Sequence, residues 1–316
     1  MRLIIITGPT AVGKTGIAIE LAKALHTEIV SCDSRQMYRE MRIGTAVPSA
    51  EEQAAVTHHF IGHLSIHDYY NVSMFEQECL QLLEKLFQKY HTVVMTGGSG
   101  LYIDALCKGI DDFPSVDPEI RKTVTGWYET NGVEYLRRQL KILDPEHYKK
   151  VDLRNYKRIM KAIEVSLQTG KPYSSFLTAK ERKRPFDVVK VAINRPREEL
   201  FERINLRTAA MMEEGLLEEA QALYPFRRLN ALNTVGYKEL FAYMDKLHDL
   251  NTAVELIRRN TRRYAKRQLT WFARDKEMIW LSPDQVLTHI ADYQVGNRYI
   301  STFIKDEANA KHLNLF

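Results

Sequence analysis

Gly8-Pro9-Thr10-Ala11-Val12-Gly13-Lys14-Thr15 is the stretch on which the fold of this chain turns. It fits G-x-x-x-x-G-K-[ST] at every position. Its surroundings agree with the pattern. An apolar run, Leu3 to Thr7, precedes it as a short buried strand, and helical spacing of Ile17, Ala18, Leu21, Ala22 and Leu25 follows from Lys14. In such a loop the glycines let backbone N–H groups turn inward around a phosphate, and the next helix aims its positive end at the same place. Lys14 adds a mobile charge, and Thr15 offers a hydroxyl to a bound metal. A phosphate-bearing ligand is therefore expected against Gly8, Pro9, Thr10, Ala11, Val12, Gly13, Lys14 and Thr15.

Outward from the loop, strand and helix signals alternate. Glu28 to Cys32 and Thr92 to Thr96 read as further apolar strands, the first ending at Asp33, the second running into Gly97-Gly98-Ser99-Gly100. A helix is expected between them, from Ser73 to Tyr90. This alternation predicts an α/β fold: a P-loop NTPase-like parallel sheet flanked by helices. Around Pro114 the character changes to a helical, basic stretch that lasts to Pro185. Val188 to Ile193 then reads as a strand, as if the sheet resumed. A long helix is expected from Pro196 to about Leu223, weakened in its middle by Gly215, and a basic one from about Thr252 to Arg274. The expected organisation is a discontinuous catalytic core, 1–113 and 188–316, with a basic helical insertion domain at 114–187. The last dozen residues read as a weakly ordered tail.

The 316 residues carry a net charge of only +5, but its distribution is uneven. From Arg121 to Lys190 there are 17 Lys/Arg against 8 Asp/Glu, a local +9 that leaves the remainder net acidic. That asymmetry points to a polyanionic partner for one part of the molecule. Cys32, Cys79 and Cys107 lie far apart with no zinc-ligand spacing, so free, buried thiols are expected. The apolar run near the amino terminus is too short for a signal peptide. No run reaches the roughly 18 residues of a membrane span, so a cytoplasmic protein is expected.

The loop does not say which phosphate it holds. Nucleotide hydrolases place an aspartate at the end of a later strand to help hold Mg²⁺, whereas Val93-Val94-Met95-Thr96 ends in threonine and glycines. Asp33 is the acid at a strand end in this region, and strand carboxyl ends face the ligand crevice in an open parallel sheet. The competing reading makes Asp33 an N-cap of the turn beginning Ser34-Arg35.

Five blocks, in order, carry a resemblance: GPTAVGKT at Gly8, DSRQMYREMRIGTAVPS at Asp33, GGSGLY at Gly97, VGYKE at Val235 and YAKRQLTWF at Tyr264. Together they resemble the tRNA dimethylallyltransferases of bacterial type, from the first strand to about Phe272. The resemblance implies transfer of a dimethylallyl group from its pyrophosphate to N6 of adenine 37, beside the tRNA anticodon, with Mg²⁺ as cofactor. It implies Asp33 as the base for the amino group, and Lys14, Thr15 (with Mg²⁺) and Arg207 around the pyrophosphate. Arg203, four residues before Arg207, is left as structural. The base channel falls on Asp33, Ser34, Arg35, Gln36 and Ser99. Contacts to the anticodon stem-loop fall on Arg121, Lys157, Arg158, Lys161, Gly236, Arg263, Lys266 and Arg267. Val12 and Ser99 stand where many relatives have Ser and Thr.

Eight Lys/Arg lie between Arg258 and Lys276, with Tyr264, Trp271 and Phe272 among them. Such aromatics can stack on loop bases, but Trp271 and Phe272 are read as the buried face of an amphipathic helix. A monomer is expected. A small-molecule kinase and a non-catalytic RNA-binding switch remain as alternatives, and nothing in the sequence decides whether ATP binding has a role.

Overall fold

The computed structural model describes residues 1–111, 113–178, 182–286 and 288; the expected tail lies outside them. In chain order the elements are β1 (Arg2–Thr7), α1 (Lys14–Ala24), β2 (Ile29–Ser31), α2 (Ala50–Ala55), β3 (His58–His59), α3 (Val72–Phe87), β4 (Thr92–Thr96) and α4 (Gly100–Lys108). They continue with α5 (Pro118–Leu143), α6 (Pro145–Lys150), α7 (Tyr156–Thr169), β5 (Asp187–Ile193), α8 (Arg197–Glu213), α9 (Leu216–Leu223), α10 (Tyr237–Met244), α11 (Leu250–Phe272) and β6 (Ile279–Leu281). The six strands form one sheet in the order β3-β2-β4-β1-β5-β6, parallel throughout.

Both faces of the sheet are buried, which is why its strands read as continuous apolar runs rather than alternating ones. In β1, Ile4 and Ile6 point into a core shared with α1 and α8, while Leu3 and Ile5 join one shared with α3 and α4. Among the described residues no helix is long and apolar enough to cross a membrane. Cys32 and Cys79 are buried and Cys107 partly so, all as free thiols.

The chain divides into two compact units, Met1–Cys107 with Arg184–Phe316, and Lys108–Lys183. The division falls a few residues before the prolines that suggested 114 and 187. Arg184 explains the later edge. Its side chain donates to the carbonyls of Leu106 and Ala105 and pairs with buried Glu76, so the chain is already tied to the sheet-bearing unit.

The smaller unit has its own core of Val124, Leu136, Leu140, Ile159, Ala162 and Ile163. Asp144 is fully buried there and caps α6, accepting from His147 N at 2.8 Å and Ser174 N at 2.6 Å. Burial opposes its charge, but these donors win and hold its carboxyl below the usual range.

One expected helix is two. Gly215 takes φ 100°, a left-handed conformation that ends α8 and starts α9, so the run from Pro196 to Leu223 turns instead of weakening. Two strands went unnoticed in the sequence: β3, which is only His58–His59, and β6, Ile279–Leu281, the two edges of the sheet.

Candidate active site

Strand order gathers the motifs. β1 lies beside β4, and β4 beside β2, so the loop after β1, the GGSG turn after β4 and Asp33 after β2 share one end of the sheet. Side chains tie these ends together. Thr7 Oγ1 donates to Gly97 O at 2.8 Å, Thr96 Oγ1 to Ile6 O at 3.1 Å, and Cys32 N to Thr96 O at 2.8 Å.

The phosphate loop is open on its inner side. Among the described residues the N–H groups of Ala11, Gly13, Lys14 and Thr15 find no acceptor, while Thr10 N donates to Gln268 Oε1 at 2.9 Å. Unpaired N–H groups at a helix start form an anion-binding concavity. Its outer side is held by arginines. Arg195 Nε donates to Val12 O and Arg203 Nε to Ala11 O, each at 2.9 Å. Ala11 sits at φ 66°, a conformation unusual for a residue with a side chain, and the Arg203 bond helps to hold it there. Arg207 donates to the Thr10 hydroxyl.

Neither Arg203 nor Arg207 pairs with Glu199 or Glu202; Arg195 takes Glu199 instead. Arg203 spends its Nε on the loop carbonyl of Ala11. Arg195 went unnoticed in the sequence.

Lys14 folds back over the loop, its ammonium donating to Gly8 O at 3.1 Å and Pro9 O at 2.9 Å. Burial lowers its pKa to about 8, partly offset by Asp33, with Arg207 lowering it further. Burial also brings Arg207 down to about 10, again opposed by Asp33. Asp33 thus interacts electrostatically with both cations.

A cavity of about 110 Å³ opens beside the loop, with Thr10, Asp33, Arg207 and Tyr264 among its polar lining and Met211, Leu216, Val235 and Ile257 on its apolar wall. Asp33 satisfies both sequence readings at once. Its Oδ1 accepts from Arg35 N at 2.9 Å and Gln36 N at 3.4 Å, as a turn cap does, and the same carboxylate lines the cavity. One oxygen fixes the orientation of the other.

The expected channel residues are largely committed to protein. Ser34 N donates to Ser99 Oγ at 2.9 Å, and Ser99 Oγ to Ser34 Oγ at 3.1 Å. Arg35 donates to the carbonyls of Asn230 and Ala231, and Gln36 Nε2 to those of Thr45 and Ala46. Glu219 pins the following loop, accepting from the N–H groups of Arg42, Ile43 and Gly44 and from the Tyr237 hydroxyl. Gly44 is glycine because Tyr237 lies against it; a Cβ there would sit 2.6 Å from the ring. Gly236 lines the cavity and donates to Glu239 Oε2, which explains two more residues of VGYKE.

α11 closes the arrangement. Its buried side carries Ala265, Gln268 and Phe272; Arg263, Lys266 and Arg267 are exposed. Trp271 lies against Gly100 and donates to Asp104 at 2.9 Å, and Phe272 is in the core, as expected for a buried face. Tyr264 lines the cavity, where burial of its hydroxyl, with Asp33 adding, pushes its pKa up to about 12.

In the smaller unit, Lys157 and Arg158 are exposed on α7, and Lys161 lies 5.8 Å from the Phe113 ring. Arg121 sits 3.7 Å from Glu164, whose pKa burial raises.

A family model described as IPP transferase matches residues 36–275. The tRNA dimethylallyltransferase 1 of Bacteroides fragilis is 50% identical over 283 residues, covering 90% of this chain and 94% of its own. A tRNA dimethylallyltransferase of Christiangramia forsetii is 51% identical over 291 residues, covering 92% and 96%. Among solved structures, the full-length tRNA isopentenylpyrophosphate transferase of Bacillus halodurans superposes with a TM-score of 0.67 at 32% identity, covering 97% of each chain. A eukaryotic dimethylallyltransferase acting on tRNA shares the fold at a TM-score of 0.79 and 23% identity, covering 98% of this chain and 84% of its own. The motifs that converge on the loop therefore have a family name: the chain belongs to the IPP transferases, the tRNA dimethylallyltransferases.

Proposed function

We propose that this prenyl transferase moves the dimethylallyl group of dimethylallyl pyrophosphate onto N6 of adenine 37 in tRNA. The observation that carries the reading is the open row of loop N–H groups beside one cavity lined by Asp33 and Arg207 together with the apolar Met211, Leu216, Val235 and Ile257. Pyrophosphate suits the N–H groups, Lys14 and Arg207, and a five-carbon chain suits Met211, Leu216, Val235 and Ile257.

Transfer breaks the bond between C1 of the donor and its pyrophosphate oxygen, and the electron pair leaves with the pyrophosphate. The N6 lone pair forms the new bond to C1, and the N6 proton passes to the Asp33 carboxylate. Lys14 and Arg207 stabilise the charge that grows on the leaving group. Mg²⁺ would be held by pyrophosphate oxygens, water and the Thr15 hydroxyl, and when bound it supplies further charge neutralisation. The donor set fits that arrangement. The open loop N–H groups would hold the phosphates, and Mg²⁺ at phosphates needs few protein ligands beyond the Thr15 hydroxyl.

The adenine has to leave the anticodon stack to reach the cavity. The exposed cations Lys157, Arg158, Arg263, Lys266 and Arg267, with Arg121 and Lys161, would grip the phosphates of the anticodon stem-loop. Ser34, Arg35, Gln36 and Ser99 serve the channel through the hydrogen bonds that shape it, and Gly236 through its backbone. The core 1–113 with 188–316 would carry the chemistry, and the insertion 114–187 would hold the tRNA. We place the reaction in the cytoplasm, in a monomer. A kinase reading lacks its usual metal ligand, since β4 ends in Thr96.

The test is to incubate the protein and Mg²⁺ with dimethylallyl pyrophosphate and an unmodified tRNA carrying adenines at positions 36 and 37. Digested nucleosides should contain an adenosine with one dimethylallyl group by mass spectrometry. A tRNA that binds but is not prenylated, with phosphate released from ATP, would overturn the reading.

A further inference from the structure

Gln268 bridges two motifs that the chemistry keeps apart. Its Oε1 accepts from Thr10 N in the phosphate loop at 2.9 Å, and its Nε2 donates to Gly98 O in the GGSG turn at 2.9 Å. The side chain is 6% exposed, so water competes little for these bonds. The fit is tight. A Cβ added at Gly98 would lie 2.3 Å from Nε2, so the turn is glycine where this amide approaches it.

The chemistry of the bridge is specific. It needs one donor and one acceptor in a fixed plane, and among long side chains only glutamine presents both. Glutamate lacks the donor; lysine and arginine lack the acceptor.

The bridge continues beyond Gly98. Ser99, the next residue, holds Ser34 by its N–H and hydroxyl, and Asp33 precedes Ser34. A short chain of bonds therefore runs from the loop of the leaving group, through Gln268 and the GGSG turn, to the carboxylate that takes the proton. In-line displacement is sensitive to the separation of these two groups, and a misplacement of about 1 Å can cost about 10²-fold in rate. The N–H groups that would hold pyrophosphate, those of Ala11, Gly13, Lys14 and Thr15, are not bonded to Gln268.

We propose that Gln268 is a positioning residue that fixes the distance between the phosphate loop and Asp33. This rests on the prenyl-transfer reading above. Gln268→Met keeps the volume and removes both bonds, whereas Gln268→Glu keeps the acceptor for Thr10 and removes the donor to Gly98. Both should lower kcat at saturating substrates by about tenfold to 10²-fold. Three other quantities should stay within about threefold of wild type: tRNA affinity, the affinity for inorganic pyrophosphate with Mg²⁺ by calorimetry, and the folded fraction at assay temperature.

A kcat within about twofold of wild type in either variant would overturn the proposal. So would a kcat loss matched by equal losses of pyrophosphate affinity and folded fraction, which is what a merely structural residue gives. Wild-type protein that forms no prenylated adenosine would overturn the parent reading instead, so the two failures are told apart.

Discussion

The phosphate loop and the helix α7, the two places proposed above to meet anions, are built in opposite ways. In the loop the backbone presents open N–H groups, and Arg195, Arg203, Arg207 and Gln268 hold it from around. On α7 the charges of Lys157 and Arg158 stand exposed at the ends of long side chains, over a small core that makes no visible demand on their geometry. Charge development on a leaving group rewards fixed donors. Grip on a phosphate backbone rewards number of charges more than placement. The comparison predicts steep losses for small changes around the loop and shallow, salt-dependent ones on α7.

The largest effect tests the rigid side. Asp33→Asn keeps the shape and the turn acceptor but removes the base, so kcat should fall about 10²–10⁴-fold while tRNA binding changes little. Single-turnover prenylation and filter binding would check both halves. An equal loss of binding would instead make Asp33 a contact residue.

Gly44→Ala should follow, read through stability rather than rate. Its Cβ would meet the ring of Tyr237, which is fully buried and bonded to Glu219, so neither partner can give way. A destabilisation of about 1–3 kcal/mol is expected, read as a lower denaturant midpoint with unchanged slope.

The loop should also announce itself through pH. Burial brings Lys14 down from 10.5 to about 8, so its charge is lost as pH rises through about 8 rather than near 10. On the proposed reading, donor binding needs the charged form. In the free protein kcat/KM for the donor should be level below that pH and fall by up to about tenfold per unit above it. A profile flat to pH 9.5 would remove Lys14 from the binding step.

On the adaptable side, Lys157→Ala with Arg158→Ala should weaken tRNA binding only severalfold at moderate salt. The slope of log affinity against log salt should shrink by about 0.7–0.9 for each phosphate that is no longer neutralised, with kcat at saturating tRNA unchanged.

What the sequence made legible follows the same division. β1, β2, β4 and β5 were readable because strands buried on both faces are uninterrupted apolar runs, and the loop was readable because its glycines, lysine and threonine are contiguous. Asp33 could be placed by its position at a strand end. Arg195 and Gln268 could not. Gln268 meets Thr10 across 258 positions, and nothing in the periodicity of α11 tells a buried amide that packs from one that bonds. β3 escaped because two histidines define no pattern, and the break at Gly215 because a helix tolerates glycine until its φ is known.

Arg195 and Arg203 would act on an anion at the loop without touching it. Each peptide unit joins the carbonyl of one residue to the N–H of the next, so a cation on the oxygen of Val12 polarises the amide that ends in the Gly13 hydrogen. Arg203 does the same, through Ala11 O, to the N–H of Val12, which tightens that group's bond to Pro9 O inside the loop. Hydrogen bonds in series strengthen one another by about 10–30% per bond. Formal charge on the convex side of the loop is thus relayed through the amide π-system to its concave side. An incoming anion meets sharpened dipoles there and needs no side chain to swing in.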